Sequence, residues 1–181
     1  MEKTIGKYKI KVIQDNSPES PREDDNLGTM VCFHGRYNLG DKHDYNQNDY
    51  NSWDELEAAI IKREKVGVIL PLFLYEHGGI TMKTTSFNDR WDSGQVGFIF
   101  ISKKKMLEEY GGKIVTAKLK ERVKQYLINE VETYDQFLTG DVYGYIITEL
   151  DEDEEYDIDS CWGFYGEDNC MTEAEAIVNN I

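Results

Sequence analysis

The three histidines are the most versatile side chains of this sequence, because imidazole nitrogens bind metal ions and transfer protons near neutral pH. His34 and His43 stand in or beside a polar stretch that also holds Asp41 and Asp44, and His77 follows an apolar run. Their spacing matches none of the ligand patterns that are typical of zinc or other transition metals. We therefore expect no metal ion and no cofactor, and we expect water or the backbone to satisfy these histidines.

Three arginines stand among carboxylates, where a guanidinium group could bind a carboxylate or phosphate ligand through two parallel hydrogen bonds. The polar stretches that hold them cover residues 15–26, 35–51 and 86–95. If these stretches converge, they form the pocket of a small-ligand-binding or enzymatic domain. Its candidate residues are Arg22, His34, Arg36, His43, Asp89, Arg90 and Trp91. The competing interpretation is that each arginine pairs with acidic neighbours and holds an irregular loop together.

Common catalytic signatures are missing from the sequence. It contains no GxxxxGK[ST] phosphate loop, no HExxH and no GxSxG. Cys161 lies among acidic residues, which disfavour the reactive thiolate. The three cysteines include no CxxC pair, which indicates reduced thiols. The sequence therefore assigns no catalytic residue, and it favours a protein that is not an enzyme without deciding the question.

The net charge is strongly negative and unevenly distributed. The chain has 181 residues, 35 acidic and 20 basic side chains, and a formal charge of −15 at pH 7. Residues 139–181 contain 13 acidic side chains and no lysine or arginine. This balance argues against direct binding to nucleic acid or to anionic membranes, which requires clustered basic residues. No apolar run reaches the roughly 18 residues of a membrane span, and the N-terminus lacks the apolar core of a signal peptide. We therefore expect a cytoplasmic protein.

The densest acidic run follows Leu150 and is typical of a turn between two antiparallel strands. It lacks the glycine and the bidentate glutamate of a calcium-binding loop. Such a run could imitate the phosphates of nucleic acid and attract a basic protein, with Tyr156 as an aromatic anchor. The candidate partner-binding residues are Asp151, Glu152, Asp153, Glu154, Glu155, Tyr156, Asp157 and Asp159. The alternative is that this charge only keeps the protein soluble.

Hydrophobic periodicity predicts the elements that carry these residues. The predicted strands cover residues 7–14, 29–34, 66–75, 80–85, 95–102, 142–149 and 158–164, and the predicted helices cover 53–65, 103–110, 116–138 and 171–181. Because hairpins and helices mix without regular alternation, we predict an α+β fold: a mostly antiparallel sheet of about six to seven strands with helices packed on one face. No repeat or linker divides the chain. We therefore expect a single domain over residues 1–181, with an acidic C-terminal section at 139–181.

Four strings of the sequence carry a resemblance to a known family. They are SPREDDNLGTMVCFH, WDSGQVGFIF, ETYDQFLTGDVYGY and DSCWGFYG. Together they resemble a family of small proteins without an assigned reaction that phages, plasmids and bacterial genomes carry. The resemblance extends from about Tyr8 to Gly166. It implies an accessory protein of a mobile element, which would act in the host cytoplasm if a phage encodes it, and it assigns no catalytic residue.

Charge and resemblance together give the leading hypothesis, a non-catalytic binding protein. It would inhibit a host defence protein by presenting nucleic-acid-like acidity to a basic groove. The expected partner is then a basic, nucleic-acid-binding host protein. A further hypothesis is that the basic helix at 113–124 of one copy meets the acidic section of another. The sequence does not fix the oligomeric state.

Overall fold

The computed structural model describes residues 1–89, 91–151 and 154–181, and it shows an α+β fold. In chain order the elements are β1 (Glu2–Ile5), β2 (Tyr8–Gln14), β3 (Thr29–Cys32), α1 (Trp53–Glu64), β4 (Val66–Glu76), β5 (Ile80–Lys83), β6 (Ser93–Ser102), α2 (Lys103–Tyr110), α3 (Ala117–Thr139), β7 (Val142–Asp151), β8 (Glu154–Tyr165) and α4 (Glu167–Val178). The α+β class is confirmed. The single sheet of about six to seven strands is wrong, because the strands divide into two antiparallel sheets of four.

The chain divides into two compact units. The first unit contains residues 1–21 and 136–181, and the second unit contains residues 22–135. A division of this kind does not decide whether the units fold independently, so the single domain stays a prediction.

The sheet of the first unit has the strand order β1-β2-β7-β8, and each neighbouring pair is antiparallel. β2 alternates lysines with apolar residues, and successive strand residues point to opposite faces. Ile10 and Val12 are therefore buried on one face, and α4 packs against it. The core of this unit contains Ile10, Val12, Tyr145, Ile147, Cys170, Met171, Ala174 and Val178.

The first unit contains one additional strand, and several of its element boundaries differ from the prediction. The first residues form β1, an additional strand that pairs with β2. β8 begins at Glu154 rather than at residue 158, because β7 offers the acidic residues a pairing partner, as in the pair Leu150 and Glu155. α4 begins at Glu167 rather than at residue 171, directly after Gly166, which has a positive φ of 84°.

The sheet of the second unit has the strand order β3-β6-β4-β5. β6 lies in its interior, and the six consecutive residues 96–101 of this strand are buried. α1 begins after Ser52, whose hydroxyl accepts a hydrogen bond from the backbone N–H of Glu55 at 3.2 Å, so the predicted helix start is confirmed. One face of the core contains Val31, Leu56, Ile60, Val66, Phe98 and Phe100.

The longest helix, α3, follows the predicted apolar stripe closely. It buries Val123, Leu127, Val131 and Tyr134, which are spaced by three or four residues. Its bounds differ from the prediction by one residue at each end. Over the ranges that the structure describes, no helix is both long enough and apolar enough to span a membrane.

Candidate functional site

The candidate partner-binding residues that the structure describes belong to β7 and β8, which pair at one edge of the first unit's sheet. Asp151 ends β7, while Glu152 and Asp153 lie outside the described residues. The remaining candidates all belong to β8, so most of the predicted acidic turn is strand. Because β8 is the last strand in the order, one of its sides has no neighbouring strand within the described part of the chain.

Three acidic side chains of β8 contact other residues of the hairpin and of β2. Asp157 Oδ1 accepts a hydrogen bond from Thr148 Oγ1 at 3.0 Å, and Asp159 Oδ2 accepts one from the Tyr145 hydroxyl at 2.9 Å. Burial, together with this hydrogen bond, raises the pKa of Tyr145 to about 12. Glu155 Oε1 lies 3.8 Å from the ammonium nitrogen of Lys9.

A register shift in the hairpin distributes these acids over both faces of the sheet. Asp157 pairs with Thr148 and Asp159 pairs with Ile147, so Ile158 is an additional residue between two consecutive pairs. Since Thr148 and Ile147 point to opposite faces, Asp157 and Asp159 do as well. β8 therefore presents negative charge above and below its outer edge, and it forms no single row of acids.

Exposed apolar side chains accompany the acids on β8. Tyr156 is 51% exposed, Ile158 is 41% exposed and Trp162 is 48% exposed. The ring of Trp162 lies over Gly144 on β7, so closely that a Cβ atom at position 144 would overlap the ring. A long edge strand with exposed aromatic residues offers both backbone pairing and apolar contact to another chain.

The second candidate site lies at one end of the second unit's sheet. His34 follows β3, Glu76 ends β4 and Ser93 begins β6, and antiparallel pairing brings these three positions to the same end. Two cavities of about 730 Å³ and 350 Å³ open there, and His34 and Val96 line both. These volumes suit small-molecule ligands.

His34 is held in a defined orientation between the cavities. Its Nδ1 accepts hydrogen bonds from the backbone N–H groups of Arg36 at 3.3 Å and Tyr37 at 3.2 Å. The neutral ring therefore carries its proton on Nε2, which lies 3.6 Å from Glu76 Oε2. The other carboxylate oxygen of Glu76 pairs with the exposed guanidinium group of Arg36. This arrangement can bind a polar ligand and can hold a proton at His34 Nε2.

Three further pocket candidates have well-defined positions. His43 lines the larger cavity, and its Nε2 lies 3.0 Å from the carbonyl oxygen of Cys32. Trp91 lines the smaller cavity and is 95% exposed. Asp89 shapes the loop, because its Oδ1 accepts a hydrogen bond from the Trp91 backbone N–H at 2.8 Å. Arg90 lies outside the described residues.

Arg22 is not among the residues that line the two cavities. It is buried and pairs with Asp41, a residue of the larger cavity's wall, so it acts behind that wall. The stretch 15–26 contributes no lining residue to either of these two cavities, where only the stretches around 35–51 and 86–95 meet. Sequence reasoning missed Glu76 and Asp92, which line the smaller cavity. Their signal is that each carboxylate stands at or just before a strand boundary.

The chemistry available for metal binding or nucleophilic attack is limited. Among the described side chains, no group of three or more histidine, cysteine, aspartate or glutamate residues could hold a metal ion. Burial raises the pKa of the Cys32 thiol to about 12 and that of the Cys170 thiol to about 11, so both stay protonated at neutral pH. Cys161 is exposed on β8.

Comparison of the chain with protein families, with curated proteins and with solved structures found no match. The two sites must therefore be judged on their own geometry.

Proposed function

We propose that this chain is a non-catalytic binding protein whose acidic section at 139–181 docks on a basic surface of a partner protein through β8. The observation that carries the proposal is the position of β8: it is an edge strand that combines exposed acids with exposed Tyr156, Ile158 and Trp162. Acids of one sign steer a basic partner toward the surface, and desolvated aromatic rings then hold it.

The proposed partner class is a basic, nucleic-acid-binding protein of a host cell. Two considerations support it: the 13 acidic side chains of the section without a single lysine or arginine, and the resemblance to proteins of phages and plasmids. In this proposal the chain inhibits a host defence protein by occupying the groove that normally takes nucleic acid. The acids on both faces of β8 suit a groove with two charged walls.

Neutralising β8 tests this proposal. The variant Glu155→Gln, Asp157→Asn and Asp159→Asn keeps the side-chain shapes and the hydrogen-bond acceptors of the hairpin. We expect it to associate about tenfold more slowly with a basic nucleic-acid-binding protein, because steering is lost. Stopped-flow association over a range of salt concentrations measures both the rate constant and its salt dependence.

The matched control removes the same amount of charge from the second unit, with Asp54→Asn, Glu108→Gln and Glu109→Gln at three exposed positions. We expect this control to associate at close to the wild-type rate. A basic protein without a nucleic-acid groove serves as the second binding partner, and it should discriminate weakly between the two variants. Equal losses in both variants would show that the acidity acts only as general charge, and the proposal would be wrong.

A second candidate function is binding of a small polar ligand at the end of the second unit's sheet. The two cavities that meet at His34, and the His34–Glu76–Arg36 arrangement between them, favour it. The remaining donors of Arg36 suit a carboxylate, and Trp91 suits an apolar or aromatic group of the same ligand.

Thermal unfolding with a set of small aromatic and aliphatic carboxylates tests this candidate. At least one compound should raise the Tm of the wild-type protein and should leave the Tm of Arg36→Gln unchanged, because the guanidinium group supplies the charged donors. Arg63→Gln is the control, since Arg63 is an exposed arginine that pairs with Asp44, and neither of these two residues lines either cavity. If no compound raises the Tm of the wild-type protein, or if the compounds raise the Tm of all three proteins equally, the result would count against a ligand site.

A further inference from the structure

We infer that the partner binds as an extended, basic strand that pairs with the outer edge of β8 and adds a fifth strand to the first unit's sheet. This inference rests on the proposed function and specifies the form of the bound segment.

The geometry of the sheet leaves one long edge open. Among the residues that the structure describes, β8 has 12 residues and pairs only with β7, whereas the opposite edge strand, β1, has four residues. An edge strand presents unpaired backbone N–H and C=O groups that serve as a template for another strand. On β8, the side chains from Glu155 to Asp157 are exposed, as are Ser160, Cys161 and Trp162, so another chain can reach this edge.

The charge of β8 selects what can pair with it. Two copies of this chain, edge to edge, would bring Glu155, Asp157 and Asp159 of each close to the acids of the other, and like charges across strands are unfavourable. A strand that carries lysine or arginine would instead place cations beside these acids. Because the register shift at Ile158 sends Asp157 and Asp159 to opposite faces, the best partner carries basic residues on both of its faces.

Two exposed aromatic side chains of β8 lie on opposite faces of the sheet. Tyr156 pairs with Glu149, and it therefore shares a face with Ile147 and the core under α4. Trp162 covers Gly144, which belongs to the other face. An added strand would bury part of each ring, so its apolar residues gain contacts above and below the sheet.

The probe for this inference is a short synthetic peptide that repeats Lys-Lys-Val-Val, so that both faces of its strand carry lysine and valine, with two N-methylated analogues. The first analogue is methylated at every second residue, so it keeps one edge for pairing. The second is methylated at consecutive residues and has no free edge. We expect the first analogue to bind nearly as well as the parent peptide, and the second to bind roughly tenfold more weakly or worse, because several backbone hydrogen bonds are lost.

Hydrogen exchange locates the bound peptide. The parent peptide should slow exchange of backbone amides between residues 155 and 162, and the second analogue should not. The variant Glu155→Gln, Asp157→Asn and Asp159→Asn should bind all three peptides more weakly. The ratios of their dissociation constants should stay the same, because these ratios report backbone pairing.

The outcomes separate this inference from the function on which it rests. If all three peptides bind equally and the neutral variant weakens them, the acidic surface binds basic partners but strand addition is wrong. If no peptide binds and β8 neutralisation leaves partner association unchanged, the proposed function itself fails. A dimer in sedimentation that the parent peptide does not dissociate would assign the edge to a second copy and would also overturn the inference.

Discussion

Replacing Arg22 with alanine is expected to lower the free energy of unfolding by about 3–5 kcal/mol, the range found when one partner of a buried ion pair is removed. The side chain of Arg22 is only 4% exposed. Its Nε and Nη2 donate to the two carboxylate oxygens of Asp41 at 2.9 Å and 2.7 Å, and Nη2 also donates to the carbonyl oxygen of Gly28 at 2.8 Å. Glu130 Oε2 lies 3.4 Å from Nη1.

The expected loss of stability is large because one guanidinium group neutralises two carboxylates, those of Asp41 and Glu130. Burial alone would lower the pKa of Arg22, but Asp41 and Glu130 outweigh it and raise the pKa, so the guanidinium group stays charged. Glu130 in turn accepts hydrogen bonds from the backbone N–H groups of Leu27, at 2.6 Å, and Gly28. Without Arg22, the carboxylates of Asp41 and Glu130 remain in the interior without a positive charge beside them, which destabilises the folded state.

Urea unfolding followed by circular dichroism measures this change. Arg22→Lys should lie between wild type and Arg22→Ala, because an ammonium group keeps the charge but lacks the planar fork of donors that bonds Asp41 through two parallel hydrogen bonds and also reaches Gly28. Arg63→Ala is the control: this exposed arginine also pairs with an aspartate, Asp44, and its loss should leave the unfolding midpoint unchanged. A midpoint for Arg22→Ala as high as that of Arg63→Ala would contradict a stabilising role for the buried pair.

The partners of Arg22 show that a sequence does not reveal which acids pair with a buried arginine. Arg22 does pair with acids, but the interpretation that they are its acidic neighbours in the chain is wrong. Asp41 lies 19 residues away, and Glu130 lies 108 residues away. Local charge patterns indicate that a countercharge exists, whereas its identity depends on how distant elements pack.

The same distinction between local and distant information explains the fold. The stripe of Val123, Leu127 and Val131 and the alternation around Ile10 are properties of single segments, so periodicity predicted α3 and β2 correctly. Strand pairing is not a local property. β2 and β7 pair although most of the chain separates them in sequence. The hydrophobic pattern of one strand does not indicate that the other is its partner. The division into two sheets therefore could not be predicted from periodicity.

The candidate sites follow the same rule. The sequence places His34 directly before the polar stretch that holds Arg36, and the two residues do lie together. Glu76 lies beside them because β3 and β4 are the two neighbours of β6, and both strands finish at the same end of the sheet. The acidic run after Leu150 is predicted as a turn because two strand-like segments flank it. Aspartate and glutamate are poor strand formers, but pairing with β7 makes Glu154 and Glu155 part of an edge strand.

Replacing Gly97 with alanine is expected to destabilise the second unit by about 3 kcal/mol, although the change adds only one methyl group. Gly97 lies in β6 and pairs with Cys32 on β3. A Cβ atom at this position would overlap the carbonyl oxygen of Val31 and would lie 2.9 Å from the Cα of Cys32. These are backbone atoms, so no rotation of a side chain relieves the overlap, and β3 must move away from β6.

Displacement of β3 would also change the site at the end of the sheet, because His34 follows that strand by two residues. Gly94→Ala provides the control: it is the same substitution in the same strand, and apart from Gly94 and its chain neighbours no described heavy atom lies within 4 Å of the added Cβ. We expect Gly94→Ala to change the free energy of unfolding by less than about 0.5 kcal/mol. Urea unfolding compares the two variants. Equal stability would mean that β3 and β6 are not packed closely enough to require glycine, and the pairing of Cys32 with Gly97 would then have to be revised.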